Sequence, residues 1–207
     1  MNPENRVIVA ITGASGVIYG ERALDALNAL GVETHLVVSK AGARTLMEER
    51  GLSAAEIGAR ASVVHPQSDI GASIASGSFR CRGMLVAPCS IRTMSEIATG
   101  VTTSLTTRAA DVCLKERRPL VLMVRETPFH LGHLRAMTQL AEMGAIIAPP
   151  LPAFYAQPET VEQLVDQSIG RALDLLGLDW SATRRWGETV GPKPDDHEET
   201  PRGGEGR

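Results

Sequence analysis

Apolar runs and amphipathic stretches take turns along this chain. RVIVAIT (6–12) has no polar face, which is the pattern of a strand covered on both sides. A helix is predicted over 17–30, a second strand at ETHLVVS (33–39) and a second helix over 41–49. Between 51 and 82 the pattern weakens to a short helix over 54–61, a short strand at SVVH (62–65) and a Gly/Ser-rich loop, GASIASGSF (71–79). GMLVAPC (83–89) reads as a strand, with a helix start at Ser90. LTTRAADVCLKE (105–116) is helical and RPLVLMVRE (118–126) is a strand. Leu131, Leu134, Met137 and Ala141 mark one helix face, and GAIIAPP (144–150) is the last strand. Val161, Leu164, Val165, Ser168, Ala172 and Leu176 mark a final helix, with Pro158 at a first-turn position.

Strands without a polar face, each followed by a helix, imply an α/β fold. The expectation is one Rossmann-like or flavodoxin-like domain, a parallel sheet with helices on both faces, over residues 1–187. Such sheets bind ligands beyond the carboxyl ends of their strands. Residues 188–207 hold Gly, Pro and charge with little apolar surface, and are expected to form a disordered acidic tail.

Composition narrows the class. The net charge of −3 argues against nucleic acid or an anionic membrane as partner, and the six acidic and three basic residues of 188–207 account for it. No apolar run reaches membrane-spanning length, and the N-terminus lacks a signal-peptide core. Three cysteines, Cys81, Cys89 and Cys113, show no close pairing, the usage of a reduced, cytoplasmic protein.

The candidate chemistry gathers at strand ends. Gly13, Gly16 and Gly20 follow the first strand, where a helix start offers N–H groups to a phosphate and Ser15 adds a hydroxyl. No Gly-Lys-Ser/Thr follows, so this is not a P-loop. The TGASxG turn also opens short-chain dehydrogenases, but these need a Tyr-x-x-x-Lys pair. Ala23 stands four residues after Tyr19 and Glu159 four after Tyr155, and the second strand ends in Ser39-Lys40 rather than an acidic ribose ligand. PCSIRT (88–93) places Ser90 and Thr93 at another helix start, where either also serves as a simple cap. Arg125 and Glu126 lie just past the apolar residues of their strand, LVLMV (120–124), and Tyr155 lies in a proline-rich loop. His130 and His133 have no third partner to make a metal site, and the pair Asp195-Asp196 reads as solvated charge.

ITGASGVIYG, VVSKAG, ASGSF, PCSIRT, RAADVCLKERRPLVLMVRETP, GAIIAPPLPAFYAQPETVEQLVD and RRWGE occur in that order from about residue 6 to 188. This set resembles the UbiX/Pad1 family of flavin prenyltransferases. The resemblance implies transfer of a dimethylallyl group from dimethylallyl monophosphate to N5 and C6 of reduced FMN. The prenylated FMN then serves a UbiD-type decarboxylase. It also implies a dodecamer with active sites at subunit junctions, and no metal.

By the same resemblance Gly13, Ala14 and Ser15 meet the FMN phosphate and ribityl chain, and Ser39 contacts FMN. Ser90, Ile91, Arg92 and Thr93 lie along the flavin, with Arg125. Tyr155 and Arg171 bind the prenyl phosphate, and Ser76, Arg108 and Lys115 surround it. Glu49 and Glu126 are the acidic residues of the site, Glu126 being the proton handler. Ile70 stands where some members carry a tryptophan. Flavin-dependent decarboxylases of the pantothenoylcysteine or lantibiotic type, which share the fold, carry PASANT-like and PxMNxxMW-like segments where this chain has PCSIRT and PPLPAFYAQP. A non-catalytic flavin-binding subunit would have no need of Glu49, Arg108, Lys115, Glu126, Tyr155 and Arg171 together.

Arg171 carries a further expectation. It lies seven residues after Leu164, so it shares nearly the same helix face and is expected to turn toward the sheet, where only an anion would offset its burial.

Overall fold

A computed structural model describes residues 5–192. Its sheet has six parallel strands in the order β3-β2-β1-β4-β5-β6. The strands are β1 (Arg6–Ile11), β2 (Glu33–Val38), β3 (Val63–His65), β4 (Gly83–Cys89), β5 (Leu120–Val124) and β6 (Ile146–Ile147). The helices are α1 (Ile18–Ala29), α2 (Lys40–Arg50), α3 (Ala54–Gly58), α4 (Ile91–Ala98), α5 (Leu105–Lys115), α6 (Leu131–Glu142) and α7 (Val161–Asp174). One 3₁₀ turn, Ser73–Ala75, interrupts the Gly/Ser-rich loop, and another, Phe154–Ala156, sits in the proline-rich one.

Alternation along the strands splits the core in two. Val7, Val9, Ile11, Leu85, Val121 and Met123 pack under α1, α2, α3 and α7. Ile8, Ala10, Met84, Val86, Leu122 and Val124 pack under α4, α5 and α6. Both faces are therefore covered, which is why the strands carry no polar face. The direction of strand addition reverses between β1 and β4, and the chain leaves the two strands there on opposite sides of a crevice.

Three expectations need correction. Thr160 caps α7, accepting from the Gln163 amide at 3.2 Å, so Pro158 lies before the cap and not in the first turn. Of the apolar face expected for α6, only Met137 meets the core. Leu140 is buried and Met137 packs partly on the core, but Leu131 and Leu134 are 58% and 47% exposed. Residues 188–192, assigned to the tail, close an ordered turn in which the amides of Glu188, Thr189 and Val190 bond to the Arg185 carbonyl. Residues 193–207, with Asp195 and Asp196, lie outside the described residues.

Candidate active site

A cleft of about 750 Å³ opens over the carboxyl ends of β1, β2 and β4, lined by Gly13, Ser39, Ser90, Ile91, Arg92, Thr93 and Glu126 among others. Thr12 lies buried at the end of β1. The Thr12 hydroxyl donates to the Pro88 carbonyl at 2.7 Å and accepts from the Ser90 amide at 2.8 Å, which ties the ends of β1 and β4 together. Two helix starts face each other across the cleft. Ser39 caps α2, accepting from the Gly42 amide at 2.9 Å, and Ser90 caps α4, accepting from the Thr93 amide at 3.3 Å. Both helices aim their positive ends at the cleft, a field suited to an anion. The side chain of Gln67 completes one wall, accepting from the Lys40 amide at 3.0 Å.

The glycines of the first turn divide their roles. Gly16 has φ +93°, which a side chain would strain. Gly13 and Gly20 are needed for close approach: a Cβ at Gly13 would lie 2.3 Å from the Ala41 Cβ, and one at Gly20 would lie 2.5 Å from the Ala87 carbonyl oxygen.

The start of α1 is not open to a phosphate in the way the turn suggests. Glu49, at the end of α2, accepts from the Gly16 amide at 2.9 Å and the Val17 amide at 3.2 Å. The Ala14 amide is also engaged, bonding to the Thr12 carbonyl at 2.9 Å. Burial pushes the Glu49 carboxyl up, but the Ser15 hydroxyl, the two amides and the charge of Arg125 outweigh it and hold the group below its ordinary range. Glu49 is thus bonded to the turn that opens α1, with Ser15 and the charge of Arg125 favouring its ionised form.

Arg125 also acts on Tyr19. Burial raises the Tyr19 phenol, against the charge of Arg125 and a hydrogen bond with Ser168 of α7. Ser168 lines a second cavity of about 150 Å³, with Pro149, Pro150, Gln167 and Arg171. Gln167 donates to the Tyr155 hydroxyl at 3.3 Å, and the Tyr155 ring meets Trp186 edge-to-face at 5.8 Å. Glu126 faces the cleft while one of its carboxylate oxygens accepts from the Thr127 amide at 2.9 Å.

Arg171 corrects the burial expectation. Its side chain is 55% exposed and paired with Asp174. Leu164 is only half-buried, so a residue in phase with it falls on the edge of the buried stripe formed by Val165, Ile169, Ala172 and Leu173.

Ser76, Arg108 and Lys115 form a separate group. Arg108 Nε donates to the Ala75 carbonyl at 3.3 Å and Nη1 to Asp111 at 2.7 Å; the Ser76 and Ser78 hydroxyls bond at 2.9 Å. Lys115 pairs with Glu116, and its Nζ lies 2.7 Å from where a Gly77 Cβ would stand. Ser104, the cap of α5, lines the cleft, but Lys115 lies eleven residues further along that helix, about 16 Å away at 1.5 Å per residue. Lys115 therefore stands at the far end of α5 from the cleft, while Arg108 stands one turn after Ser104. His130 caps α6, its Nδ1 accepting from the Gly132 amide at 3.0 Å. Ile70 is 60% exposed.

The sequence reading missed Thr12, Gln67, Tyr19 and Ser168. Thr12 was the most accessible of these, as the polar residue that ends the first apolar run. In the sequence Tyr19 stands out only as half of an absent Tyr-x-x-x-Lys pair.

A six-stranded parallel sheet with a serine-capped cleft at its switch point defines a nucleotide-binding α/β protein of the flavodoxin-like class. The Flavoprotein family model matches residues 1–173. The flavin prenyltransferase UbiX of Thauera aromatica is 54% identical over 181 residues, 87% of this chain and 93% of its own. That of Escherichia coli (strain K12) is 56% identical over 174 residues, 84% of this chain and 92% of its own. Among solved structures, AnUbiX (PadA1) in complex with FMN and dimethylallyl pyrophosphate superposes with TM-score 0.87 at 47% identity, covering 88% of this chain and 97% of that one. A dodecameric FMN-dependent UbiX-like decarboxylase from Escherichia coli O157:H7 gives TM-score 0.85 at 46% identity, over 87% and 98% of the two chains. This chain belongs to the UbiX family of flavin prenyltransferases.

Proposed function

We propose that this protein transfers a dimethylallyl group from dimethylallyl monophosphate to N5 and C6 of reduced FMN, making prenylated FMN for a UbiD-type decarboxylase. The observation that carries the reading is the cleft at the switch point, with two helix starts and Glu126 among its lining, and Glu49 bonded to the turn after β1. Its volume, about 750 Å³, suits a nucleotide-sized ligand. Reduced FMN enters as a substrate. The starts of α2 and α4, through Ser39 and Ser90, favour its phosphate, and Arg125 supplies a charged donor.

Tyr155 and Arg171 flank the cavity beyond β6 and hold the prenyl phosphate, whose departing charge they offset. Arg171 is free to do this by exchanging Asp174 for the phosphate, since both ends of that pair are within reach of solvent. Glu126 takes the proton lost when the new ring closes at C6. No metal is required in this scheme, because a monophosphate is matched by arginine, lysine and tyrosine donors.

Ser76, Arg108 and Lys115 contribute to this chemistry only from a neighbouring copy. The position of Lys115 at the far end of α5 supports a homo-oligomeric, dodecameric assembly with sites at subunit junctions, as do the exposed side chains of Phe129, Leu131, Leu134, Leu151 and Phe154. Among the described residues no helix is long and apolar enough to cross a membrane. Free Cys81, Cys89 and Cys113 suit a cytoplasmic location.

Anaerobic incubation with reduced FMN and either dimethylallyl monophosphate or dimethylallyl pyrophosphate, followed by mass analysis of the flavin, tests the reading. The expected result is one dimethylallyl group added to FMN with the monophosphate. Unmodified flavin with both donors would overturn it, and product only from the pyrophosphate would overturn the choice of donor.

A further inference from the structure

A buried hydroxyl spans the point where β1 and β4 part. Regular pairing of β1 with β4 stops at Ala10 opposite Val86. On the other side of β4, the register against β5 shifts between Val86 and Cys89. Ala87 and Pro88 therefore fall outside both ladders, just before the chain turns into α4.

Thr12, 1% exposed, supplies what the ladder lacks there. Its hydroxyl donates to the Pro88 carbonyl at 2.7 Å and accepts from the Ser90 amide at 2.8 Å, and its own amide donates to the same carbonyl at 3.3 Å. Two groups depend on the segment fixed in this way. Ser90 lines the cleft and caps α4, accepting from the Thr93 amide. The Arg125 amide donates to the Cys89 carbonyl at 3.1 Å, so the residue between Pro88 and Ser90 places the backbone of Arg125. Thr12 itself is not part of the cleft lining.

We propose that Thr12 is a positioning residue for the flavin: its hydroxyl holds Ser90, the start of α4 and the backbone of Arg125 in the arrangement that binds FMN. The inference rests on the reading of the cleft as the FMN site. The hydroxyl acts as donor and acceptor rather than as bulk. Valine has nearly the same shape but offers the Ser90 amide nothing, so the start of α4 must shift to reach another acceptor or water. Serine keeps both hydrogen bonds and loses one methyl group.

The test compares full-length wild type, Thr12→Val, Thr12→Ser and Val7→Ala, each titrated with FMN and read by quenching of flavin fluorescence. Val7 is buried in the core on the same strand and controls for lost stability. Affinity for FMN should fall at least about 10-fold in Thr12→Val, the cost of leaving one amide unpaired. It should stay within about 3-fold of wild type in Thr12→Ser, which keeps the hydroxyl, and in Val7→Ala, which leaves the tie intact. Without FMN, exchange mass spectrometry should show faster deuterium uptake over 87–93 in Thr12→Val than in the other three. If Thr12→Val does not fold, Thr12→Cys takes its place; a thiol is a weaker partner for both bonds, and affinity should fall by more than in Thr12→Ser. Wild-type affinity in Thr12→Val, an equal fall in Val7→Ala, or no rescue by serine would each overturn the inference. Wild type that binds no FMN, with the exchange difference still present, would overturn the FMN reading of the cleft and leave Thr12 a tie of the fold alone.

Discussion

Glu49 caps a helix that is not its own. From the end of α2 it accepts hydrogen bonds from the amides of Gly16 and Val17, where α1 begins. A carboxylate thus occupies the positive helix end that the glycine turn presents, and Ser15 and Arg125 help to hold its charge.

Glu49→Ala should cost about 1–2 kcal/mol at neutral pH, because it removes a charged acceptor from two amides. The folded-state carboxyl sits below its unfolded value, so its contribution is present above the unfolded value, about 4.3, and is lost as pH falls through the lower folded one. Urea midpoints of the two proteins should differ at neutral pH and converge in acid. A gap that widens in acid would reverse the sign and remove this role.

Gly13→Ala should destabilise the fold without touching a catalytic group. The added Cβ would stand 2.3 Å from the Ala41 Cβ, so α2 must shift away from the end of β1. Overpacking of this kind costs about 1–3 kcal/mol. Chemical unfolding measures it, and an unchanged midpoint would show that the Ala41 turn yields freely.

Arg125→Ala should weaken FMN binding by roughly 1.5–3 kcal/mol, the loss of one charge-assisted hydrogen bond. Quenching of flavin fluorescence on titration reads the difference. Retention equal to wild type would take Arg125 off the flavin and leave it only its influence on Tyr19 and Glu49.

Glu126→Gln should bind FMN and the prenyl donor normally but form product about 10²–10⁴-fold more slowly. Single-turnover assays under anaerobic conditions separate binding from chemistry. A normal rate would assign the proton to another acceptor, the released phosphate first.

Tyr155→Phe and Arg171→Ala should leave FMN content unchanged and raise the concentration of dimethylallyl monophosphate needed for turnover. The arginine change should be the larger, since it removes a charge rather than a hydroxyl. Loss of FMN in both variants would show that the two cavities form one flavin site.

The alternation of strands and helices was legible because each strand is buried on both faces and each helix on one, so hydrophobic period and burial coincide. The helix start at Ser90 was legible for a local reason, a hydroxyl one step before an amphipathic run; Ser39, which the sequence assigns to the end of a strand, and Ser104 cap α2 and α5 in the same way. So were the strand-end positions of Arg125, Glu126 and Tyr155. What lies across the chain was not. Glu49 meets the Gly16 turn only because α2 docks beside α1, and no local pattern encodes that approach. Leu131 and Leu134 carry a helical period with Met137, but a period sets which residues share a face and not what that face meets; α6 rolls so that Met137 meets the core beside Ala136 and Leu140 while Leu131 and Leu134 do not. Arg171 fell on the exposed edge of α7 for a related reason, since the helix rolls to seat Val165, Ile169 and Ala172, and a difference of one residue in phase moves an arginine from sheet to solvent. The separation of Lys115 from the cleft was likewise invisible to motif matching, because motifs record order along the chain, while the length and direction of α5 decide which end of the sheet each residue occupies.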